Sequence, residues 1–516
     1  MNDATAARRR TAEVSRETLL ATLRERFGLD DFRPAQEDII RAILEGRDTL
    51  AVLPTGAGKS LVFQLPALLL DGLTVVVSPL IALMKDQTDK LAERGVDAIT
   101  INSGLSARAQ ADAEQALGDG TGDILYVTPE RFRDREFFEM LLERRVALFV
   151  VDEAHCISQW GHDFRPDYMM LGSVVERLGR PPVVAVTATA GPEVQEDIVR
   201  QLRMQRPYRR IGELIRPNLH LEVHRTVNPA LKDERLEELL RDIDGTGIIY
   251  VATVKEAKRL HEELSARRAV TMYHGRMAAR DRHEAQERFM AGGVKAVIAT
   301  NAFGLGIDKP DIRFIIHYHL PGSIEAYYQE AGRAGRDGEP ARCSILYREE
   351  DRAIQGYFLG GKYPDDGEAL RVAQIVNGLR DGERMALNDI AERAEVARRK
   401  TRIVLTLMKR FSAMREYRGG GWERLIPDVT TVPLHDQLLD YESRRQADRA
   451  KLKAMVQYCR TAQCRTRRIL EYFGETPDPA YRCGHCDNDI PDSNGTGTLA
   501  PGRRRPYSAH RTPVVE

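Results

Sequence analysis

Short apolar runs alternate with amphipathic stretches over the first two thirds of the chain. Each run has the length and composition of a buried strand, and each stretch has the apolar spacing of a helix. The runs lie at residues 50–53, 74–77, 123–127, 146–151 and 183–186, and a second series lies at residues 248–251, 269–273, 296–300 and 314–318. Because strands that alternate with helices form parallel sheets, the pattern predicts an α/β protein with two parallel-sheet lobes.

A different pattern begins near residue 365. Apolar residues have helical spacing in three segments, 368–379, 387–393 and 397–411. Two strand-like segments follow, 414–417 and 422–426, and they flank three consecutive glycines. A helix–turn–helix followed by a glycine-tipped hairpin is the outline of a winged helix. Residues 393–418 hold nine basic and two acidic residues, and this excess suits contact with DNA phosphates at Arg398, Arg399 and Lys400. The alternative to contact with DNA is a charged surface that is only solvated.

At roughly 150 residues per domain, a chain of 516 residues predicts about three to four domains. The expected division is an N-terminal arm (1–24), an ATP-binding lobe (25–210), a second lobe (211–350), a winged-helix-like insert (351–440), a zinc-binding module (441–490) and a disordered tail (491–516).

Charge and cysteine content narrow the functional class only slightly. The 77 basic residues equal the 77 acidic residues, so charge has to be interpreted region by region. The start of the chain lacks the apolar core of a secretion signal, and the apolar runs are too short to span a membrane. Six cysteines, four of them after residue 458, argue against a disulfide framework. We therefore expect a cytoplasmic protein with no membrane partner.

Residues 54–60, directly after the first predicted strand, read Pro-Thr-Gly-Ala-Gly-Lys-Ser. Backbone N–H groups at Thr55, Gly56 and Gly58 can wrap phosphate oxygens, Lys59 can reach the β and γ phosphates of ATP, and Ser60 can ligate Mg²⁺. The general phosphate-loop pattern has one more glycine, at position 53, where this chain has leucine. The intact Gly-Lys-Ser between a strand and a helix still predicts an ATP site.

Two further groups complete the expected ATP site in the first lobe. The amide of Gln36 offers the donor and the acceptor that match the adenine edge, and Arg33 beside it is assigned to the same site. Asp152 and Glu153 follow the apolar run at 146–151, at the carboxyl end of a predicted strand, where open α/β sheets bind ligands. We expect Asp152 to hold Mg²⁺ and Glu153 to activate the attacking water.

The segment after Glu153 carries the flat side chains of Trp160, Phe164 and Arg165, which are suited to stacking on DNA bases. The alternative is a loop whose aromatic side chains pack inward.

The second lobe has no Gly-Lys-Ser of its own, but residues 331–338 place Arg333 and Arg336 among three glycines. Arginines delivered across a cleft stabilise charge on a transferring phosphate, so the second lobe is expected to complete the ATP site.

Over residues 27–351 the chain resembles the RecQ family of superfamily 2 DNA helicases. The resemblance rests on residues 32–36, 55–60, 78–87, 152–155, 157–168, 187–189, 300–309 and 329–338. It implies two RecA-like lobes, an aromatic loop that couples single-strand binding to ATP hydrolysis, and 3′ to 5′ travel in DNA repair or recombination. Arg333 and Arg336 match the family's arginine finger, and which of them touches the γ-phosphate stays open. Gly306 and Asp308 match the motif that links nucleotide state to the second lobe.

The family also implies a zinc module, and Cys464, Cys483 and Cys486 match its pattern. The fourth family cysteine is replaced by Asp489, whose carboxylate oxygen is an acceptable Zn²⁺ ligand. Asp489 is ranked first, with Cys459 and His485 as alternatives and a metal-free module as the alternative to any site.

The expected partners are single-stranded and forked duplex DNA, with a single-strand-binding protein as a further partner and a location at the nucleoid. Three other functions stay open: a DNA-stimulated translocase that does not unwind, an RNA helicase of the same superfamily, and a DNA-binding regulator without ATPase activity.

In much of the family a winged helix follows the zinc site, whereas only about 30 residues follow Cys486 here. The hairpin at Gly419, Gly420 and Gly421 is therefore the expected substitute for a duplex-splitting element.

Overall fold

The computed structural model describes residues 14–490 apart from 159, 162, 213, 305–306, 362 and 418–420. Its first unit, lobe 1, is a parallel sheet of seven strands in the order β3-β4-β2-β5-β6-β1-β7. The strands are β1 (Thr49–Val52), β2 (Leu73–Val77), β3 (Ala98–Ile101), β4 (Ile124–Val127), β5 (Val146–Val151), β6 (Val183–Thr187) and β7 (Tyr208–Ile211). The helices are α1 (Arg16–Phe27), α2 (Gln36–Leu44), α3 (Leu61–Ala67), α4 (Ile81–Glu93), α5 (Ala107–Gly118), α6 (Arg135–Leu142), α7 (Leu171–Arg177) and α8 (Pro192–Gln201).

Lobe 2 is a second parallel sheet, of six strands in the order β10-β11-β9-β12-β13-β8. Its strands are β8 (Leu219–Arg225), β9 (Thr246–Tyr250), β10 (Val270–Tyr273), β11 (Ala296–Ala299), β12 (Ile312–His317) and β13 (Ala341–Tyr347). Its helices are α9 (Pro229–Asp242), α10 (Val254–Ser265), α11 (Ala279–Met290) and α12 (Ile324–Ala331). The prediction of two parallel-sheet α/β lobes is confirmed.

The continuous apolar runs are explained by burial on both faces of each sheet. In β2, Val75 and Val77 belong to one apolar cluster of lobe 1, whereas Val76 belongs to the other. Every residue of β1, β2, β4 and β6 is buried. Parallel strands covered on both faces show such uniform apolar runs.

The apolar pattern did not predict β3, β7 and β8, each of which lies at the edge of its sheet. The sequence of β7 is Tyr-Arg-Arg-Ile, and β8 alternates leucine or valine with histidine and glutamate. An edge strand is only partly covered, so it needs no continuous apolar run.

Helix α13 (Asp351–Gly360) follows lobe 2 and packs against its core through Leu359, so the insert starts after the predicted boundary at residue 351. The insert contains α14 (Asp366–Asn377), β14 (Arg384–Ala386), α15 (Leu387–Arg393), α16 (Arg398–Arg410), β15 (Met414–Glu416) and β16 (Gly421–Arg424). The three strands form an antiparallel sheet in the order β14-β16-β15, and Trp422 of β16 is buried among the helices. This helix and strand order is that of a winged helix, as the sequence predicts. Of the predicted glycine tip, Gly419 and Gly420 lie outside the described residues, and Gly421 begins β16.

A single helix of 27 residues, α17 (Leu434–Arg460), leads from the insert to α18 (Arg465–Tyr472) of the zinc module. Leu434 and Leu438 pack in the core of the insert, whereas Met455 and Tyr458 pack in a core shared by lobe 2 and the zinc module. The boundary predicted at residue 441 therefore falls inside one continuous helix.

Helix α1 also crosses a predicted boundary. Ser15 caps its first turn, and Leu19, Leu23 and Phe27 pack in a core of lobe 1, so this lobe starts before residue 25. The first 13 residues of the predicted arm and the predicted tail at 491–516 lie outside the described residues. Within the described part of the chain, no helix combines the length and apolarity that a membrane span requires.

Candidate active site between the two lobes

The phosphate loop leaves β1 at Val52 and enters α3 at Leu61. Gly56 and Gly58 have φ values of +87° and +76°, a conformation that L side chains rarely adopt. A Cβ atom at Gly58 would also lie 2.5 Å from Nε2 of Gln36. Both glycines are thus required by the backbone path that brings Lys59 and Ser60 to the start of α3.

Gln36 and Arg33 hold this loop from one side. Nε2 of Gln36 donates hydrogen bonds to the carbonyls of Ala57 and Gly58 at 3.0 and 3.2 Å, while its Oε1 accepts one from the Arg33 backbone N–H at 2.8 Å. The Arg33 guanidinium donates to the carbonyl of Gly56. The amide that the sequence analysis assigns to adenine therefore contacts the phosphate loop in this structure.

Asp152 and Glu153 follow β5 and lie beside the phosphate loop. Burial raises the pKa of Asp152 to about 7, and the neighbouring Glu153 charge acts in the same direction. Burial lowers the pKa of Lys59, whereas the charges of Glu153 and Asp152 act to raise it. A buried carboxylate with a like-charged neighbour gains stability from a bound cation. The carboxylate of Asp152 and the hydroxyl of Ser60 offer oxygen atoms, the kind of ligand that Mg²⁺ takes.

Glu153 has a left-handed backbone conformation, with φ of 48°. Its Oε2 lies 3.3 Å from Nδ1 of His155, and the same ring nitrogen lies 2.8 Å from Oγ1 of Thr187 at the end of β6. The imidazole thus joins the candidate base to the neighbouring strand. This contact fixes the orientation of the Glu153 side chain.

Two arginines of lobe 2, Arg333 and Arg336, lie on the side of lobe 2 that faces the phosphate loop. The buried Arg333 donates to the carbonyl of Gly304, and Nη1 of Arg336 donates to Oδ1 of Asp308 at 2.6 Å. A Cβ atom at Gly56 would lie 3.3 Å from Cγ of Arg336, so this side chain lies directly against the phosphate loop. The predicted residue Gly306 lies outside the described residues.

An ion pair crosses the cleft next to these arginines. Nζ of Lys90, on α4 of lobe 1, lies 3.2 Å from Oδ2 of Asp308. Asp308 therefore joins a lysine of lobe 1 to Arg336 of lobe 2.

Arg216 is a site residue that the sequence analysis missed. It lies between β7 and β8, and its Nη1 donates to the carbonyls of Thr55 and Gly332 at 3.1 and 3.4 Å. Its Nη2 donates to the carbonyls of Ala334 and Gly335 at 3.0 and 2.7 Å. One guanidinium thus holds the phosphate loop together with the arginine segment, residues 331–338, which carries Arg333 and Arg336. A single arginine in a connecting segment carries no sequence signal for such a role.

The aromatic loop, which carries Trp160, Phe164 and Arg165, is folded against the segment that carries Glu153. A Cβ atom at Gly161 would lie 2.2 Å from the carbonyl of His155, so the loop can approach only because this residue is glycine. Arg165 contacts Asp163 at 3.0 Å and donates to the carbonyl of Pro79 at 3.0 Å. Trp160 remains 40% exposed.

A cleft of about 670 Å³ runs from Glu153 and Arg333 to the aromatic loop. Side chains of both lobes and of α17 line it. Two candidate catalytic residues, Glu153 and Arg333, therefore line the same continuous space as Asp163 and Arg165 of the aromatic loop.

The basic helix α16 presents two of its three predicted DNA contacts to solvent. Arg398 and Arg399 are exposed. Lys400, in contrast, is 9% exposed, and its Nζ lies 2.7 Å from Oε1 of Glu368 on α14. The assignment of Lys400 to DNA is corrected here, because this side chain forms an ion pair inside the insert.

The zinc module gathers four candidate ligands. One ligand atom from each of Cys464, Cys483, Cys486 and Asp489 lies within 4.8 Å of the others. Oδ2 of Asp489 accepts hydrogen bonds from the backbone N–H groups of Cys483 and Gly484 at 2.7 and 3.2 Å, which points the carboxylate into the cluster. Three thiols and a carboxylate oxygen are a donor set that suits tetrahedral Zn²⁺.

Of the two alternative ligands, neither joins this cluster. Nδ1 of His485 lies 2.8 Å from the carbonyl of Leu219 in lobe 2. Cys459 is fully buried among apolar residues of the shared core.

Three family models match the chain. They are the DEAD/DEAH box helicase domain over residues 33–198, the helicase conserved C-terminal domain over residues 231–338, and the RecQ zinc-binding domain over residues 430–490. The first two matches fall on lobes 1 and 2, and the third covers α17, α18 and the four candidate zinc ligands.

Curated relatives match over most of the chain. The probable ATP-dependent DNA helicase RecS of Bacillus subtilis is 35% identical over 92% of this chain and 92% of its own length. The ATP-dependent DNA helicase RecQ of Synechocystis is 36% identical over 92% of this chain and 98% of its own length. The chain covers 65% of the length of the Bacillus subtilis RecQ, to which it is 36% identical.

Solved structures match the lobes at low identity. Saccharomyces cerevisiae Dbp5 bound to RNA and ADP BeF3 has a TM-score of 0.53 at 22% identity, with 67% of this chain and 92% of Dbp5 covered. Mycobacterium smegmatis Lhr bound to single-stranded DNA and AMP-PNP has a TM-score of 0.52 at 20% identity, with 78% of this chain and 60% of Lhr covered. These two likenesses support the two-lobed fold alone.

Proposed function

The chain belongs to the RecQ family of ATP-dependent DNA helicases, and we propose that it couples ATP hydrolysis to 3′ to 5′ movement on single-stranded DNA and to duplex opening in repair or recombination. One observation carries the proposal. Arg336 of lobe 2 lies against the phosphate loop of lobe 1, and the cleft that Glu153 and Arg333 line also reaches Asp163 and Arg165 of the aromatic loop. Hydrolysis of ATP at the phosphate loop can therefore be linked mechanically to a nucleic-acid strand at the aromatic loop.

The phosphate loop holds the triphosphate of ATP through its backbone N–H groups and Lys59. Ser60 and Asp152 would hold Mg²⁺, which would supply positive charge that offsets the charge of the phosphates. Glu153, oriented by His155 and Thr187, accepts the proton of the attacking water. The raised pKa of Asp152 means that cation binding and deprotonation of this carboxylate are coupled.

Arg333 and Arg336 supply positive charge from lobe 2. Arg336 already lies against Gly56, whereas Arg333 donates to the Gly304 carbonyl and would need to turn toward the nucleotide. This geometry favours Arg336 as the arginine that meets the γ-phosphate. Closing of the lobes on ATP and opening after hydrolysis would then advance the strand.

Contacts with DNA are assigned to two places. Trp160, Phe164 and Arg165 would stack on bases of the single strand beside the cleft. Arg398 and Arg399, on the exposed side of α16, would contact duplex phosphates ahead of it. Zn²⁺ held by Cys464, Cys483, Cys486 and Asp489 would stabilise the module that packs under lobe 2.

The cellular setting is also part of the proposal. All six cysteines are free thiols, which fits a reducing cytoplasm. We place the protein at the nucleoid, where a single-strand-binding protein would cover the strand that it releases.

ATP hydrolysis with single-stranded DNA or with RNA of matched sequence tests this function. We expect strong stimulation by DNA, weak stimulation by RNA, and no hydrolysis in Lys59→Ala. Trp160→Ala should retain the basal rate and lose the stimulation by DNA. Equal stimulation of Trp160→Ala and the parent protein would remove the aromatic loop from the mechanism, and preferential stimulation by RNA would overturn the choice of substrate.

A further inference from the structure

Helix α17 touches three functional parts of the molecule in turn. At 1.5 Å per residue its 27 residues span about 40 Å. Its first turns pack in the insert, its last turns pack under lobe 2, and its middle passes the aromatic loop of lobe 1. A rigid helix with these attachments can transmit the position of the loop to both neighbours.

The first contact of α17 with the aromatic loop is a cation–π interaction between Arg444 and Phe164. The guanidinium carbon of Arg444 lies 4.4 Å from the centroid of the Phe164 ring and 4.7 Å from that of Tyr441. Arginine stacks well on aromatic faces, and so do nucleic-acid bases. Arg444 therefore occupies a face of Phe164 on which a base would stack.

The second contact holds the backbone of the loop. Nζ of Lys451 donates a hydrogen bond to the carbonyl of Trp160 and lies 3.4 Å from Oε1 of Glu325. Glu325 is buried in the first turn of α12, the helix that ends just before Arg333. A single ammonium group thus joins the aromatic loop of lobe 1 to the helix that precedes Arg333 and Arg336 in lobe 2.

We infer that Arg444 and Lys451 are positioning residues that hold the aromatic loop in its DNA-free arrangement, and that a base stacking on Phe164 replaces Arg444. This inference rests on the proposed DNA contact of Phe164. Release of Arg444 frees the loop from the middle of α17, while Lys451 links any shift of the Trp160 backbone to α12. DNA binding and the arrangement of the segment that carries Arg333 and Arg336 are coupled in this way through two side chains of α17.

Quenching of tryptophan fluorescence by acrylamide, without DNA or nucleotide, tests the hold on the loop directly. The chain has two tryptophans, and Trp422 is 1% exposed whereas Trp160 is 40% exposed, so the quenchable signal reports Trp160. We expect Arg444→Ala and Lys451→Ala to raise the quenching constant. The control is Arg449→Ala, which removes an exposed arginine of the same helix and should leave the constant unchanged.

The double variant Arg444→Ala/Phe164→Leu separates release of the loop from a decrease in helix stability. If Arg444 acts through Phe164, its removal should change the quenching constant in the parent background and not in the Phe164→Leu background. An equal change in both backgrounds would overturn the inference. Equal quenching constants of Arg444→Ala, Arg449→Ala and the parent protein would overturn it as well.

Stimulation of ATP hydrolysis by single-stranded DNA tests the competition. Arg444→Ala should lower the DNA concentration for half-maximal stimulation by about two- to tenfold, the range expected when one cation–π interaction is removed, with an unchanged rate at saturating DNA. A raised half-saturating concentration would show that Arg444 itself binds DNA and would overturn the inference. Normal DNA dependence in Phe164→Leu would instead remove the proposed DNA contact, a failure that the quenching experiment distinguishes from failure of the hold on the loop.

Discussion

The guanidinium of Arg216 donates a 3.1 Å hydrogen bond to the carbonyl of Thr55, and this contact joins the segment between the lobes to the phosphate loop. The same side chain donates to carbonyls of Gly332, Ala334 and Gly335 in the arginine segment. Burial lowers the pKa of Arg216, but the group stays charged at neutral pH because arginine starts from a very high value. Arg216 therefore contacts both halves of the candidate active site through one guanidinium group.

Arg216→Ala should reduce the DNA-stimulated rate of ATP hydrolysis by about 10- to 100-fold, since hydrogen bonds from a charged group contribute about 1.5–3 kcal/mol. The decrease is expected mainly in kcat, because the phosphate loop retains its contacts with Gln36. Arg209→Ala is the matched control, since Arg209 forms an ion pair with Glu196 at the surface of lobe 1. Steady-state kinetics of DNA-stimulated ATP hydrolysis in both variants test this prediction. Equal kcat values in Arg216→Ala and Arg209→Ala would show that Arg216 is dispensable for alignment.

Asp489→Ala should lower zinc content well below one ion per chain after dialysis against a chelator, because three thiols would remain. Asp489→Cys should restore full occupancy, since a fourth thiolate completes a tetrahedral site. His485→Ala should retain zinc, because Nδ1 of His485 bonds to the Leu219 carbonyl. Metal analysis by atomic emission measures all three. Absence of zinc from His485→Ala with retention in Asp489→Ala would reverse the ligand assignment.

Glu222 on β8 should make lobe 2 sensitive to acid. Burial acts to raise the pKa of Glu222, but the adjacent imidazoles of His220 and His224 and the charge of Arg342 hold it well below its usual value. A carboxyl group with a lowered pKa stabilises the fold above its unfolded-state value of about 4.3 and loses that contribution as the pH falls below it.

Glu222→Gln should therefore lower the free energy of unfolding of lobe 2 by about 3 kcal/mol at neutral pH, as expected when a buried ion pair loses one partner. The difference from the parent protein should shrink between about pH 5 and pH 3. Urea unfolding at several pH values, followed by circular dichroism, measures it. A difference that does not vary with pH would contradict the assigned charge of Glu222.

Arg398→Ala/Arg399→Ala should weaken duplex binding and make it less sensitive to salt. The slope of log K against log salt should fall by about 0.9 for each DNA phosphate that no longer pairs with an arginine. Lys400→Ala should leave that slope unchanged and should instead lower the stability of the insert, because Lys400 pairs with Glu368. Fluorescence anisotropy with labelled duplex at several salt concentrations separates the two. A reduced slope in Lys400→Ala would return this lysine to the DNA surface.

The sequence was sufficient for features that depend on local pattern. The buried strands, the phosphate loop and the position of Asp152 follow from apolar runs and from residues adjacent in the chain. The inward position of Lys400 was also accessible in principle. At 100° per residue, Lys400 shares a helix face with the buried residues Val404 and Met408, and that face packs against α14.

Other features depend on tertiary arrangement and could not be predicted. Arg216 joins two segments that are more than 100 residues away from each other in the chain. The contact of Arg444 with Phe164 depends on the path of α17 across lobe 1, which no residue pattern encodes. Edge strands such as β7 lack the continuous apolar run on which strand prediction relies.

The most direct test of the proposed helicase activity is ATP-dependent strand separation on partial duplexes that carry either a 3′ or a 5′ single-stranded tail, with Lys59→Ala as control. We expect separation from the 3′ tail only, and none in the Lys59→Ala variant. Separation from the 5′ tail, or strong DNA-stimulated hydrolysis without separation from either tail, would contradict the proposed helicase and leave a translocase.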